Sequence, residues 1–419
     1  MACLRDFGEQ RGRDSMKKVL FCGQLFPATG EEVLRDQAVL IDGETIEAVM
    51  PRAQFGGEDY QVIDLSDKFV TPGLIDAHVH TNIDGELNFM EQMISETVGA
   101  CTIRSLCNAR SDLMAGFTSL RDMGSYGFAD IALRDGINAG KVVGPRMLCS
   151  GLCIGSTGGH ADSWFNPYIT GMHEYGYVID GPDEARKAAR LMFKYGADQL
   201  KIMATGGVGS PGEPGAPELS FEEMKAMLDI ANSRGKLSSA HAHGAQGIKN
   251  AIRAGVATIE HGMLMDDECI DLMAAHGTYL VPTIIAGDRI VEYGTDAGIP
   301  ASAVEKSARC LENHQRNLAK CREKGVKIGF GTDAGTFFNH HGEQTYELVL
   351  MVRYGFTPAQ ALLAATKVNA ELMRWSDRVG TVEAGKFADF AAFDQNLLEH
   401  IEAVSDCSFV MKGGQVCKG

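Results

Sequence analysis

Apolar residues along the chain fall into two textures. From residue 17 to 70, short runs rich in Val, Ile and Leu ("KKVLFCG", "QAVLIDGETIEAVM", "YQVIDLSDKFV") are separated by Gly, Asp and Glu, the pattern of a strand meander with turns. The far end repeats it in "VGTVEAGKFADFAAFD" and "SFVMKGGQVCKG". Both ends are expected to join in one small β-sandwich. Between them, strand-like runs alternate with helical stretches: "LIDAHVH", "FTSLRDMG", "RMLCSGL", "QLKIMAT", "KLSSAHAHG", "TIEHG", "TYLVPT" and "KIGFGTDAG". In "PDEARKAARLMFKYGADQLK", Pro182 and the acids after it open a helix and Gly196 closes it. Strand-helix alternation repeated in this way predicts an α/β chain whose parallel strands close into a (β/α)8 TIM barrel. The predicted division is 1–70 for the first part of the sandwich, 71–379 for the barrel and 380–419 for the rest of the sandwich. An open doubly wound sheet is the alternative, but the glycine-rich dinucleotide fingerprint is missing after the first strand, and no organic cofactor site is expected.

Composition narrows the partners. A chain of 419 residues suits a barrel of ~250 residues or more with an appended domain. The formal charge of -16 argues against a nucleic-acid surface, which needs clustered Lys and Arg. No run approaches the ~18 unbroken apolar residues of a membrane span. The opening "MACLRDFGEQRGRDSMKKVLF" lacks the apolar core of a signal peptide, so a cytoplasmic protein is expected. Met16 is a candidate natural start, with residues 1–15 a disordered extension. The 11 cysteines have no CxxC spacing and several sit in apolar strands, which favours reduced, buried thiols over disulfides.

Candidate chemistry gathers at the C-terminal ends of the predicted barrel strands, where such barrels form their pockets. His78 and His80 of "HVH" sit at i and i+2, on one face of a strand. Imidazoles and carboxylates suit a borderline divalent metal, and His243, His261 and Asp333 end later strands. One such histidine is most often a satisfied core residue; the constellation is what points to a metal. Lys201 in "QLKIMATGG" is expensive to bury unless its charge is paired or chemically removed, as carboxylation to a carbamate would do. In "SSAHAHGAQG", His241 and His243 face the same way. His243 lies nearer the strand's end and is assigned as ligand, with His241 one layer deeper as its hydrogen-bond partner; the reverse assignment stays open.

"PGLIDAHVH", "LKIMATGG", "HAHGAQG", "IEHG" and "GTDAG", with the split β-domain ending "GTVEAGKFADF", resemble the amidohydrolase superfamily. "FTSLRDMG", "GGHAD", "HAHGAQGIKNAIRAGVATIEHG" and "VMKGGQV" look like the branch of imidazolonepropionase relatives, Xaa-Pro dipeptidases, metallo-carboxypeptidases and ochratoxin-type amidohydrolases. The resemblance implies two Zn2+ per subunit. His78 and His80 would bind the more buried one, His243 and His261 the other, with carboxylated Lys201 as the bridge. Asp333 would be both ligand and proton shuttle. It further implies that His160 contacts the substrate carbonyl or carboxylate. Tyr126 and His241 are further candidates for substrate contact. "GGVGSPGEPGAPEL" is a candidate lid or rim loop. His340 and His341 could line the pocket, although paired loop histidines are more often solvated.

The expected function is hydrolysis of the amide bond ahead of a C-terminal amino acid, in dipeptides (Xaa-Pro or hydrophobic) or N-acyl amino acids such as ochratoxin-like amides. An imidazolonepropionase-like cyclic-amide hydrolase or deaminase is the alternative, and a non-catalytic scaffold a third reading. A homo-oligomer acting on small molecules is expected, with neither nucleic acid nor membrane as partner.

Overall fold

The computed structural model describes residues 17–163 and 176–419, leaving aside the side chains of Met90 and Met93. The N-terminal extension and the end of "CIGSTGGHADSWFNPY" lie outside them. Strands β1 (Lys18–Leu25), β2 (Leu34–Asp42), β3 (Thr45–Pro51) and β4 (Gln61–Pro72) follow the apolar runs of the first texture. β1 pairs antiparallel with β2 and parallel with β4.

The middle of the chain supplies two parallel arrays. β5 (Leu74–Val79), β6 (Phe117–Asp122) and β7 (Arg146–Cys149) form the first. β8 (Cys153–Ser156), β9 (Gly176–Ile179), β10 (Gln199–Met203), β11 (Leu237–Gly244), β12 (Thr258–Leu264) and β13 (Tyr279–Val281) form the second, in the order β13-β12-β11-β10-β8-β9. The third predicted run, "RMLCSGL", carries β7 and ends just before β8, with Gly151 at φ 70 between the two strands.

Closure on the other side differs from expectation. The run "KIGFGTDAG" is held by isolated parallel bridges, Leu280 to Ile328 and Val79 to Ala334, and not by a continuous strand. Two of its glycines explain both the close approach and the irregularity. A Cβ at Gly331 would stand 2.4 Å from Val281 Cγ1 and 2.8 Å from the His78 Cβ, and one at Gly329 would stand 2.5 Å from Asn369 Oδ1. Asn369 then stitches the seam, its Nδ2 donating to the carbonyls of Ile75 and Phe330 at 2.7 Å each.

Helices cover the barrel with the predicted periodicity. In Pro182–Lys194, Ala185, Ala188, Ala189 and Met192 are fully buried, a stripe at i, i+3, i+4 and i+7. Gly196, at φ 99, follows this helix as its terminator.

The chain end returns as β14 (Phe390–Phe393), β15 (Cys407–Lys412) and β16 (Gln415–Lys418). β14 pairs antiparallel with β4, which unites both termini in one seven-stranded sheet, β16-β15-β14-β4-β1-β2-β3. That sheet curls until Thr45 bridges Phe387, enclosing a core of Leu20, Val39, Ile41, Val70, Phe390 and Met411. The expected sandwich is therefore one mixed sheet folded on itself. The ten cysteines among the described residues are all free thiols, and eight of them are buried.

Candidate metal centre

Period-two alternation along β5 turns Asp76, His78 and the residue after the strand, His80, toward the barrel axis. Asp76 works as a brace. Its carboxylate accepts from the His78 and Thr332 backbone N–H groups at 3.0 and 3.2 Å and from Thr332 Oγ1 at 2.6 Å, tying β5 to the seam that carries Asp333. The Asp333 N–H in turn donates to the His78 carbonyl at 2.7 Å. The result is a tight group: Asp333 Oδ1 lies 3.2 Å from both His78 Nε2 and His80 Nε2. Donor atoms of these three residues all lie within 4.8 Å of one another, close enough to share one cation.

Lys201, 1% exposed, projects inward from β10 with its Nζ 3.3 Å from His78 Nε2. Burial lowers its ammonium pKa, which favours the neutral amine. His261 closes the group from β12, its ring centroid 5.0 Å from that of His78, and its Nδ1 meets Thr283 Oγ1 at 2.6 Å. His261, Thr283 and Asp333 all adopt left-handed backbone, at φ 70, 47 and 62. Non-glycine residues hold such angles only where the surroundings impose them, and here each lies at the end of a barrel segment, with His261 and Asp333 facing the cavity.

Both imidazoles of β11 stand beside His261. The His241 ring lies 4.6 Å from it and the His243 ring 5.0 Å, stacked. His241 Nε2 meets the Gly206 carbonyl at 3.1 Å, whereas His243 Nδ1 is buried without a partner. His160 stands over His241, with centroids 4.4 Å apart. Its backbone N–H donates to Glu218 Oε2 at 2.7 Å.

Burial governs the charges. It pushes His160 down to about 4, His243 to about 3, and His241 and His261 well below the ordinary imidazole value. Neutral imidazoles are the form that binds a cation. Burial alone would raise the Asp333 carboxyl, but His78, His80 and His261 hold it well below the usual carboxylate range. A carboxylate gathered with imidazoles and a buried lysine is a donor set that suits divalent metal ions.

Behind this group lies a buried pair that the sequence reading did not include. Glu260 Oε2 meets His78 Nδ1 at 2.8 Å, and Arg121 Nη2 donates to Glu260 Oε1 and Oε2 at 2.8 and 3.0 Å. Burial would raise the Glu260 carboxyl, yet Arg121 and His78 bring it down to about 2. Arg121 also reaches the Ala77 carbonyl at 2.5 Å and Thr258 Oγ1 at 3.0 Å. A charged residue inside each of the runs "FTSLRD" and "TIEHG" was the available clue. His80 Nδ1 is likewise held by the Gly124 carbonyl at 2.9 Å.

All the expected ligands, with His160 and His241, line one cavity of ≈ 460 Å³, whose walls are otherwise largely apolar, including Ile83, Leu87, Phe89, Val208, Met263 and Phe337. Tyr126 does not line it. Its ring packs with Cys101, Ala129 and Val98 under the helix Val98–Met114, apart from the residues that line the cavity. His341 departs from expectation in the other direction. Its side chain is 2% exposed, its Nδ1 bonds Asp112 Oδ2 at 2.8 Å, and its Nε2 meets the His80 carbonyl at 3.2 Å, so it braces the rim instead of meeting solvent.

Two arrays of parallel strands, joined through isolated bridges, gather imidazoles, a buried lysine and a carboxylate at their C-terminal ends, where His78, His80 and Asp333 could hold a metal ion. The chain belongs to the amidohydrolase family, which matches residues 69–417. It is 30% identical to the ochratoxinase of Aspergillus niger, over 96% of this chain and 86% of that one. A solved Xaa-Pro dipeptidase with methionine bound in its active site superposes with a TM-score of 0.87 at 36% identity, covering 96% of this chain and 100% of that one. Imidazolonepropionase of Brevibacillus brevis is 25% identical over 85% of this chain and 82% of that one. The chain is thus a hydrolase acting on amide bonds. No helix among the described residues is long and apolar enough to cross a membrane.

Proposed function

We propose that this chain is a binuclear metal-dependent amidohydrolase, acting in the cytoplasm as a homo-oligomer, that cleaves the amide bond ahead of a C-terminal amino acid in hydrophobic or Xaa-Pro dipeptides or N-acyl amino acids. The observation that carries this reading is the placement of Lys201 Nζ at 3.3 Å from His78 Nε2, inside a cavity that also receives His80, His261 and Asp333. A neutral buried amine there can add carbon dioxide, forming an N–C bond and releasing a proton to leave an anionic carbamate. His78, His80 and Asp333 would hold one cation, His261 and an imidazole of β11 a second, and the Lys201 carbamate would join them; zinc fits these ligands. Bound there, divalent cations would make a water molecule more acidic and polarise the scissile carbonyl.

The chain's own groups account for the rest. Asp333, kept ionised, accepts the proton of the attacking water and passes it to the amine as the C–O bond forms and the C–N bond breaks. Amide cleavage needs that delivery because an amide anion is a very poor leaving group. His160, neutral and over His241, is positioned to donate to the substrate's carbonyl or carboxylate. The apolar walls suit a bulky hydrophobic group.

The imidazolonepropionase-like alternative is disfavoured by Lys201, which its mononuclear chemistry does not require, and a scaffold by the complete donor set. Zinc-loaded enzyme should release free amine from members of a dipeptide and N-acyl amino acid library. Activity confined to cyclic amides, or a purified protein that takes up no stoichiometric metal, would overturn the proposal.

A further inference from the structure

We propose that Lys306 is a specificity-determining positioning residue, whose buried ammonium pins the rim loop 206–213 as one wall of the substrate cavity. The loop follows β10 and leaves it at a narrow base, where Thr205 bridges Pro217 and the Gly206 N–H donates to the Ala216 carbonyl at 3.1 Å. Beyond that base its own bonds are few. The Gly207 N–H donates to Ser210 Oγ at 3.3 Å, and that hydroxyl lies 3.2 Å from the Gly207 carbonyl. Val208 packs against Ile290, Ile299 and Ala303, but farther along the loop a Cβ added at Gly212 would meet nothing within 4 Å. Yet Val208, Gly209, Ser210 and Pro211 line the cavity.

Lys306 supplies the missing restraint. Its Nζ donates to the carbonyls of Ser210, Pro211 and Gly212 at 2.9, 3.3 and 2.7 Å, which uses all three donors of an ammonium. The residue is 8% exposed, and among the described residues no carboxylate stands within ion-pairing distance of it. A buried ammonium without a counter-ion is costly unless its hydrogen bonds are made, so the loop carbonyls and the lysine depend on each other. The lysine itself is firmly based. Its helix, Ala301–Glu323, is fastened to the end of β12 by Asn317 Nδ2, which donates to the carbonyls of Met263 and Met265 at 3.2 and 3.1 Å. Arg309 and Glu213 add only an exposed pair at the loop's outer edge.

None of the expected metal ligands lies on this loop, and the Gly206 carbonyl that meets His241 belongs to its base and not to the segment Lys306 holds, so loosening that segment should disturb how a bulky apolar group is held and leave the donor set alone. In substrate terms this rests on the hydrolase reading above; the position of the loop does not.

The test uses full-length zinc-loaded protein with Lys306→Met, which keeps the length and removes the donors, and Lys306→Arg, which restores them. Kinetics are measured on N-acetyl-L-phenylalanine and on N-(2-naphthoyl)-L-phenylalanine. K306M should raise KM for the naphthoyl substrate about tenfold, with kcat and the acetyl substrate changed less than about threefold and metal content intact, and K306R should return KM to near the parent value. Hydrogen exchange of segment 206–213 should quicken about tenfold in K306M alone. Should K306M fail to fold, Lys306→Gln, with two donors left, is read the same way. Unchanged KM on both substrates, or unchanged exchange in the loop, overturns the proposal. A parent enzyme inactive on both substrates would sink the hydrolase reading instead, and the exchange measurement would still decide the role of Lys306.

Discussion

Replacing Glu260 by Gln isolates the support behind His78. Glu260 and Arg121 are both fully buried, and the two contacts between them are 2.8 and 3.0 Å. Glutamine preserves the volume, so no cavity cost enters, but it leaves the Arg121 guanidinium without its counter-charge. Removing one member of a buried pair costs about 3–5 kcal/mol. The Thr258 hydroxyl, also bonded to Glu260, and the Ala77 carbonyl still engage the arginine, which places E260Q toward the lower end. A second loss falls on the metal. His78 Nδ1 gives up a carboxylate at 2.8 Å that fixes its tautomer and strengthens its Nε2 as a donor, and changes of that kind typically cost about 10–100-fold in metal affinity. Urea unfolding of metal-free protein reads the first quantity, and zinc competition against a chromophoric chelator reads the second. The double variant R121M/E260Q should be less destabilised than the sum of the single changes, because it buries no orphaned charge. E260Q within about 1 kcal/mol of the parent and with unchanged zinc affinity would refute the reasoning, since the buried pair would then carry neither cost.

Three shorter predictions follow from the same geometry. His160→Ala should raise KM or lower kcat with metal content intact, and unchanged rates on every amide the parent cleaves would remove His160 from the site. Loading with 13C-bicarbonate should give a carbamate resonance that Lys201→Ala lacks; full zinc occupancy with a bare amine at Lys201 would contradict the bridging role. Burial raises the Glu218 carboxyl from 4.5 to about 7, so the folded state prefers it protonated; that contribution is fully present below about 4.5 and is lost as pH rises through about 7. Glu218→Gln should therefore gain stability relative to the parent across that window in unfolding titrations, and a difference that is flat with pH would show the shift to be absent.

Much of the site was legible because regular strands impose a period of two. "HVH" had to present both imidazoles on one face, and Lys201 had to choose between the barrel interior and the helices, a choice the interior won. The eight-run alternation likewise anticipated parallel arrays, and the matching textures at the two ends anticipated their union. Tyr126 and His341 both stand outside the cavity lining, for a common reason. Whether a loop side chain meets ligand, core or solvent depends on what packs over it, here the helix Val98–Met114 in one case and Asp112 in the other.

By itself, the sequence determined which residue types stand at the ends of the strands, and hence the class of chemistry, since periodicity and ligand softness act locally. Tertiary structure decided the rest. Glu260 and His261 are successive residues, which an ordinary strand would send to opposite faces; the left-handed backbone at His261 lets the first brace His78 from behind while the second faces the cavity. Arg121 meets Glu260 across 139 positions and His341 meets Asp112 across 229. Such contacts depend on the barrel having closed, because only closure brings distant segments within hydrogen-bond reach and removes the water that would otherwise compete for them.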